Sequence, residues 1–191
     1  MRISGGKARG IPLRVGKTVG LRPASEANRE RLFSSIGEKI INCMVLDLFA
    51  GSGSYGLEAL SRGAKSATFV EKNRSVIKDL KINTANTLKS AQLESMAAKI
   101  EARDVLEFLK NKSSEAYDII FLDPPYSELS KIVQPLFERL HKFTHTNTIV
   151  VHECPAGAFE ERPGWKLIKN LGKASKGSPV YHFFGPVITN P

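Results

Sequence analysis

The sequence has little of what would place it in an oxidising compartment or a membrane. Cysteine occurs only twice among 191 residues, at Cys43 and Cys154, which is too few for a disulfide framework. No run of about 18 or more uninterrupted apolar residues is present, so we expect no membrane span. The first residues turn polar at once and lack the apolar core of a secretory signal. Together these absences favour a cytoplasmic location.

Acidic residues are in the minority. The chain carries 28 Lys and Arg against 19 Asp and Glu, a formal net charge of +9. Its first 39 residues hold nine basic and three acidic side chains, so +6 of that charge lies in the first fifth. This excess favours an anionic partner, and we interpret that partner as nucleic acid. The alternative is a generally basic, solvated surface.

Short apolar runs alternate with helical patterns from residue 44 onward. Five of these runs predict strands buried on both faces, at residues 44–49, 67–71, 98–102, 117–123 and 148–152. The β-α alternation predicts an α/β fold with a doubly wound, mostly parallel sheet. Residues 165–168 and 180–184 have no helical pattern between them, so they predict an antiparallel C-terminal hairpin at the sheet edge.

The N-terminal segment is rich in glycine and arginine. Its apolar residues surround paired and single glycines, which predicts a short β-hairpin. We expect residues 1–22 to form a basic N-terminal hairpin extension and residues 23–191 to form the α/β domain. Lys7, Arg9 and Arg22 are candidate substrate-binding residues, because such side chains contact nucleic-acid phosphates. Arg22 is also a candidate to close over a cofactor site.

A glycine turn after the first predicted strand is a candidate cofactor cradle. Gly51, Gly53 and Gly56 match G-x-G-x-x-G, whose helix N-terminal amides face an anionic group. Glu71 follows about 20 residues later, where a carboxylate can hold ribose hydroxyls. The pattern fits a nicotinamide or flavin dinucleotide as well as S-adenosylmethionine. A tight turn without a ligand is the remaining alternative.

Two carboxylates favour S-adenosylmethionine. Asp47 precedes the glycines, where it would meet a pyrophosphate poorly but could order the loop or face a cationic sulfonium cofactor. Asp104 and Val105 follow the third strand, where the acid can accept from an adenine amine and the valine can cover the ring. Asp104 could equally be a helix N-cap. The candidate cofactor-binding residues are Asp47, Ala50, Gly51, Ser52, Gly53, Glu71, Lys72, Asp104 and Val105.

The most specific motif is Asp123-Pro124-Pro125-Tyr126, directly after the fourth predicted strand. The prolines fix φ and remove two donors, so the corner is stiff and its carbonyls can accept. A carboxylate and a nearby carbonyl can together hold an NH₂ group, and Tyr126 can stack on a base. These four residues are the candidate catalytic residues, and Tyr126 is also a candidate substrate-binding residue. The alternative is an ordinary proline-rich turn.

Several other residues are predicted to be structural. His141 and His145 have i, i+4 spacing but no third ligand stands out, so we expect no metal. Glu153 and its two neighbours end a strand. Trp165 and the aromatic residues 181–184 are predicted to pack in the core. Tyr55, inside the glycine loop, is compatible with either packing or cofactor contact.

These motifs resemble the amino-methyltransferases that act on nucleic acid, and more closely the bacterial 16S rRNA guanine-N2 methyltransferases of the RsmD type. The resemblance covers most of the chain, at residues 2–10, 21–25, 29–30, 46–53, 56–64 and 123–126. It implies a Rossmann-like class I methyltransferase fold over residues 23–191 and S-adenosylmethionine as cofactor. It also implies methylation of the N2 amine of one guanine, with the small ribosomal subunit or a late intermediate as partner.

Other functions stay open on the sequence. An adenine-N6 methyltransferase acting on DNA or RNA shares the same chemistry. An NAD-dependent oxidoreductase would use the glycine turn but would leave Asp123 to Tyr126 unexplained. A non-catalytic RNA-binding assembly factor would use only the basic segment. We expect a monomer, although the sequence gives no direct evidence on oligomeric state.

Overall fold

The computed structural model describes residues 1–16, 25–110, 115–155, 161–172 and 179–187. Its helices are α1 (Glu26–Ile36), α2 (Ser54–Ser61), α3 (Arg74–Ala91), α4 (Val105–Phe108) and α5 (Leu129–Leu140). Its strands are β1 (Met44–Leu48), β2 (Ser66–Val70), β3 (Ala98–Glu101), β4 (Tyr117–Leu122), β5 (Thr144–Pro155), β6 (Trp165–Leu171) and β7 (Pro179–Pro186). Within the described ranges, no helix is long and apolar enough to cross a bilayer.

The seven strands form one sheet in the order β3-β2-β1-β4-β5-β7-β6. Strands β1 to β5 run parallel to one another, whereas β7 runs antiparallel to both β5 and β6. This confirms the predicted mostly parallel sheet and the C-terminal antiparallel hairpin. The chain leaves β1 towards one side and returns through β4 on the other, so a topological switch point lies between them. Open α/β sheets bind ligands at such a point.

Helix caps and apolar faces explain where the main helices begin. The predicted N-cap of α1 is confirmed, because Ser25 Oγ accepts a hydrogen bond from the Asn28 amide at 3.2 Å. Asn73 caps α3 in the same way, accepting from the Ser75 amide at 3.0 Å. Helices α1, α2 and α3 cover one face of the sheet, and α4 and α5 cover the other. Both faces are therefore buried, as the continuous apolar runs predicted.

The N-terminal hairpin packs on the main core. Its two arms meet at an isolated antiparallel bridge between Arg2 and Pro12, and the Ile3 amide donates to the Ile11 carbonyl at 2.9 Å. Ile3 is fully buried and belongs to the same apolar cluster as α1 and α2. The Lys7 amide donates to the Ser61 carbonyl at 2.8 Å. The predicted domain boundary at residue 22 lies outside the described residues and stays a prediction.

A buried ion pair joins α1 to α2 beneath the hairpin. Arg29 and Glu58 are both fully buried, with Arg29 Nε 3.0 Å from Glu58 Oε2. Arg62 Nε lies 2.7 Å from the other carboxylate oxygen of Glu58. The Ser4 amide also donates to Glu58 at 2.8 Å, and Arg29 Nη2 donates to the Arg2 carbonyl. The hairpin and both helices therefore share one network of charges.

Gly6 shows how closely the hairpin approaches α2. Its φ is +76°, and a Cβ there would lie 1.9 Å from the Ser61 carbonyl oxygen. Gly10 has a similar φ of +89° but open space around a Cβ. We expect Gly10→Ala to cost about 1–2 kcal/mol, the strain of a left-handed alanine. Gly6→Ala should cost clearly more, because the hairpin must also move off α2.

Urea denaturation of the two alanine variants measures this difference. Gly10→Ala is the matched control, since it carries the same backbone strain without the clash. Equal losses in the free energy of unfolding would show that the contact between Gly6 and Ser61 is loose in solution.

Candidate active site

A cavity of about 760 Å³ opens at the carboxyl ends of the parallel strands, at the switch point between β1 and β4. Its volume suits a nucleoside-sized ligand, since ligand pockets span about 300–1,000 Å³. The loops that follow β1, β2, β3 and β4 line it, together with Glu153 in β5. The predicted site residues in its wall are Gly51, Glu71, Lys72, Asp104, Val105, Asp123, Pro124, Pro125 and Tyr126. The structure thus brings the cofactor candidates and the catalytic candidates into one cavity.

The glycine turn is held by carboxylates. The Gly51 amide donates to Glu71 Oε2 at 3.0 Å. Asp47 is buried, and its Oδ2 accepts from the Gly56 amide at 2.8 Å, in the first turn of α2. A dinucleotide pyrophosphate would need such amides, and these two already donate to the side chains of Glu71 and Asp47. The geometry therefore favours a ligand without phosphates at this turn.

The remaining residues of the turn shape it. The Ala50 amide donates to the Val70 carbonyl at 3.0 Å, and the Gly53 amide donates to the Ala50 carbonyl at 2.7 Å. The Ser52 carbonyl accepts from Asn83 Nδ2 at 2.9 Å. Asp47, Ala50, Ser52 and Gly53 do not line the cavity. Their direct contact with a cofactor stays a prediction, and the structure shows them ordering the turn.

Glu71 is half-buried and faces the cavity after β2. Its Oε1 accepts from the Asn73 amide at 2.8 Å, so the carboxylate is fixed in place. Lys72 lies at the rim, with Nζ 3.4 Å from Asp104 Oδ2 and 3.8 Å from Glu128 Oε2. The fixed carboxylate suits the paired hydroxyls of a ribose.

Asp104 and Val105 form the opposite wall. Asp104 Oδ1 accepts from the Leu106 amide at 2.8 Å, so the residue does cap α4, one of its two predicted roles. Its second oxygen is oriented towards Lys72 at the cavity. Val105 is buried and presents an apolar surface to the cavity. These features fit a purine ring with an exocyclic amine.

The diproline corner lies where the motif predicted, directly after β4. Asp123 and Pro124 face the cavity, and Tyr126 is 50% exposed at its mouth, accessible to a flat ring. The Pro125 carbonyl accepts from the Glu128 amide at 2.8 Å. The Pro125 carbonyl therefore already accepts one hydrogen bond from the turn into α5, and the availability of the corner's carbonyls to a substrate stays a prediction.

Glu153 was predicted to be structural, but it lines the cavity beside Asp123. It lies near the end of β5 and is only 5% exposed. The Tyr55 hydroxyl donates to its carboxylate, and the Tyr55 and Tyr181 hydroxyl oxygens are 3.3 Å apart. Tyr55 itself stacks on Phe121 with 5.2 Å between ring centroids. Of its two predicted roles, the structure therefore shows Tyr55 packing in the core.

Burial raises the pKa values of the acidic side chains in and near this wall. It raises the pKa of Asp123 well above the ordinary value, and the charges of Glu153 and Asp47 raise it further. Burial also raises the pKa of Glu153, against the lowering effect of hydrogen bonds from Tyr55 and Tyr181. Burial raises the pKa of Asp47 to about 8, although the Gly56 amide opposes that shift. Such perturbed carboxyls in a cleft are typical of active sites.

The sequence matches one protein family along nearly all of its length. The family model described as "Conserved hypothetical protein 95" matches residues 1–184. A "Ribosomal RNA small subunit methyltransferase D" from Buchnera aphidicola subsp. Acyrthosiphon pisum is 35% identical over 168 residues, which cover 87% of this chain and 85% of that relative. The chain belongs to this family.

Other members agree with that assignment. A "Ribosomal RNA small subunit methyltransferase D" from Escherichia coli strain K12 is 41% identical over 126 residues, or 66% of this chain. The match spans only 60% of the length of that relative. The solved structure named "Putative methyltransferase yhhF from Escherichia coli" has a TM-score of 0.82 at 29% identity, and the alignment covers 97% of each chain. The Rossmann-like methyltransferase fold implied by the RsmD-type resemblance is therefore confirmed.

Several wall residues of this family member were missed by sequence reasoning. Phe49, Val76, Ser127 and Glu128 line the cavity, as Glu153 does. Phe49 has a φ of +63°, which is uncommon for an aromatic residue and places strain at the start of the glycine turn. Phe49 directly follows β1, and Glu153 lies near the carboxyl end of β5, so position was the usable signal for these two.

The candidate substrate-binding residues of the hairpin lie away from the cavity wall. Lys7 and Arg9 are both exposed, while Arg22 lies outside the described residues. The aromatic residues 181, 183 and 184 and Trp165 are buried, which confirms the prediction that they pack in the core. Among the residues that the structure describes, no three His, Cys, Asp or Glu side chains are grouped to hold a metal ion.

Proposed function

We propose that this protein transfers a methyl group from S-adenosylmethionine to the exocyclic N2 amine of a guanine in 16S ribosomal RNA. The substrate in this proposal is the assembled small subunit or a late intermediate. One observation carries the proposal: the Asp123 corner and the turn of Gly51 and Glu71 face the same cavity. Donor and acceptor can therefore meet in one place.

The cavity wall fits the cofactor. Glu71 would accept hydrogen bonds from the ribose hydroxyls, Val105 would cover the adenine, and Asp104 Oδ2 would accept from the adenine amine. The cofactor carries no phosphate, in agreement with a turn whose amides already serve the carboxylates of Glu71 and Asp47. When bound, S-adenosylmethionine supplies a methyl group on a positively charged sulfur, so no metal is needed.

The diproline corner would hold the amine. Asp123 presents a carboxylate oxygen, and we assign the second acceptor to the Pro124 carbonyl, since the Pro125 carbonyl already accepts one hydrogen bond from the Glu128 amide. Two acceptors on the two N–H bonds favour a nitrogen whose lone pair points at the methyl group. Such positioning supplies several kcal/mol of the barrier, up to about 7–11 in ideal systems. Tyr126 would stack on the extruded guanine.

The name of the family members supports ribosomal RNA over DNA. The relatives from Buchnera aphidicola and Escherichia coli are named small subunit ribosomal RNA methyltransferases. An adenine-N6 methyltransferase is the second candidate, because the same corner can grip either amine. An oxidoreductase would leave the corner unused and would need a pyrophosphate site that the turn disfavours.

The test is methyl transfer in vitro to small subunits from a strain that lacks this gene. We expect the digested RNA to contain N2-methylguanosine in mass spectrometry, whereas N6-methyladenosine would support the second candidate. Calorimetric titration with S-adenosylhomocysteine and NADH separates the cofactor classes. Binding of NADH without binding of S-adenosylhomocysteine would end the methyltransferase proposal.

We further propose that the hairpin contacts RNA phosphates through Lys7 and Arg9, both of which are exposed. The double variant Lys7→Ala, Arg9→Ala should raise the KM for small subunits about tenfold or more, with unchanged affinity for S-adenosylhomocysteine. Binding should also become less sensitive to salt by about one to two units in the log–log slope, since up to two phosphate contacts are lost. Steady-state kinetics with small subunits measure the KM, and filter binding across a salt series measures the slope.

Lys89→Ala, Lys142→Ala is the matched control for charge. Both of these exposed lysines shortly precede strands β3 and β5, at the amino edge of the sheet and far from the cavity. The same loss of two charges there should leave the salt slope almost unchanged. Equal effects of the two double variants would show that net charge, rather than the hairpin, attracts the RNA.

A further inference from the structure

Asp123 and Glu153 lie side by side at the carboxyl edge of two neighbouring parallel strands. Leu122 in β4 is paired with His152 in β5. Glu153 is the next residue in β5, and Asp123 directly follows β4; neighbouring strands lie about 4.8 Å apart. The charge of Glu153 acts on Asp123, so the two acids lie close together. Both also line the cavity.

Glu153 contacts aromatic residues of the core. Phe121 and Val151, two residues earlier on each strand, belong to the apolar cluster that contains Tyr55. Tyr55 stacks on Phe121 and donates its hydroxyl to Glu153. Tyr55 therefore holds Glu153 from the apolar core, and Glu153 lines the cavity together with Asp123.

Few described groups act on the charge of this pair. Asp47 on β1 is a third acid near Asp123, and it raises the pKa of Asp123 when it is ionised. Tyr55 on α2 and Tyr181 on β7 hydrogen-bond to Glu153. His152 and Cys154 alternate to the opposite face, where His152 packs edge-on against Phe137. Two ionised carboxylates in this enclosed position would repel each other strongly, so the pair favours keeping one proton.

We propose that Asp123 and Glu153 form a carboxyl pair that shares one proton, and that the pair receives the proton that the amine loses during methyl transfer. Glu153 is a positioning residue in this proposal, because it acts through Asp123. The inference rests on the proposed methyl transfer for its chemical role. The shared proton itself depends only on the fold.

The protons and charges balance in one sequence. As the amine nitrogen bonds the methyl carbon, the carbon–sulfur bond breaks and its electron pair stays on sulfur as a neutral thioether. The nitrogen becomes cationic and gives one proton to the Asp123 oxygen. The pair passes from one proton and a charge of minus one to two protons and no charge. No metal, oxidant or further base takes part.

The pair predicts coupled titration, which NMR of carbon-13-labelled side-chain carboxyls measures without RNA or cofactor. In the parent protein, both resonances should titrate in two steps, as coupled acids do. The upper step should lie well above the ordinary range of about 3.9–4.3. In Glu153→Gln, the upper step of Asp123 should fall by at least about one pH unit, because Asp47 is then the one remaining acid among the described residues whose charge raises the pKa of Asp123.

Two further variants complete the test. Asp123→Asn should remove the upper step from Glu153, because coupling is reciprocal. Glu128→Gln is the matched control, since Glu128 lines the same cavity and is not among the charges that shift Asp123. It should leave both steps in place. An Asp123 resonance that titrates in one step, unchanged by Glu153→Gln, would overturn the pair.

Single-turnover methyl transfer then tests the role in the reaction. We expect Glu153→Gln to lower the rate about tenfold with an unchanged affinity for S-adenosylhomocysteine, because Asp123 alone is a poorer proton acceptor. If the titration shows the pair but the rate is unaltered, its role as acceptor is refuted. If the parent protein transfers no methyl group, the proposed function fails while the titration still decides whether the proton is shared.

Discussion

Asp123→Ala is expected to lower methyl transfer to small subunits by about 10²- to 10⁴-fold, the range for loss of a positioned acid or base. The affinity for S-adenosylhomocysteine should stay within about twofold. Asp123 lies on the cavity wall across from the glycine turn, and no hydrogen bond from the turn depends on it. The loss should therefore fall on the transfer step, which rapid-quench single-turnover assays measure directly.

Asp123→Asn separates the two tasks of this side chain. An asparagine keeps an oxygen that accepts a hydrogen bond from the amine, but it takes no proton at neutral pH. We expect its rate to fall nearly as far as that of the alanine variant. A loss of less than tenfold would mean that the residue only orients the amine. Normal methylation by Asp123→Ala would remove the residue from the mechanism altogether.

Arg29→Met is expected to have the largest effect on stability, about 3–5 kcal/mol, because it breaks a fully buried ion pair and leaves a buried carboxylate with fewer partners. Glu58 has no exposed surface and holds Arg29, Arg62 and Ser4 together. The methionine fills most of the space of the arginine stem, so the loss reports on charge rather than on a cavity. Urea denaturation at neutral pH measures the loss.

Two comparisons sharpen that measurement. Arg62→Met removes a partner of the same carboxylate, but Arg62 is 20% exposed, so a smaller loss is expected. The double variant Arg29→Met, Glu58→Gln should lose less than the sum of its single variants, because neither buried charge then stays unpaired. Additive losses would show that the two groups do not interact in solution.

The same pair predicts a dependence on pH. Burial pushes the pKa of Glu58 upward, but hydrogen bonds from Ser4, Arg62 and Arg29 outweigh it, so the net pKa lies below the ordinary value of 4.5. A lowered pKa in the folded state means that this stabilisation is present above pH 4.5 and is lost as the pH falls through the folded-state pKa. The difference between the parent protein and Arg29→Met should therefore shrink in acid.

The sequence was sufficient for the sheet and for much of the cavity. Continuous apolar runs predicted the five parallel strands, because burial on both faces requires them. Glycines and the proline corner at strand ends predicted Gly51, Glu71 and Asp123 in one place, since parallel strands share a carboxyl edge. A local motif was enough to predict those site residues that lie next to one another in the sequence.

Contacts between distant segments were beyond sequence reasoning. Glu153 was assigned a structural role, because β5 was predicted to end at His152 and nothing nearby marked the acid as special. Its partner Tyr55 lies 98 residues away in sequence, and Tyr55 is 126 residues from Tyr181. The docking of the hairpin on Ser61 depends likewise on tertiary packing, which composition does not reveal. The usable signal for Glu153 was its position, since it is an acid one residue beyond the predicted strand at residues 148–152.

Both outer strands of the sheet carry lysine, and this bears on how the protein behaves at high concentration. An edge strand exposes unpaired amides and carbonyls, to which another chain can add and start aggregation. In β6, Lys169 Nζ donates to the Ser35 carbonyl at 2.8 Å, and in β3, Lys99 Nζ lies 2.8 Å from Glu101. A strand that approached either edge would have to desolvate a charge. Both charged edges therefore disfavour the addition of a further strand.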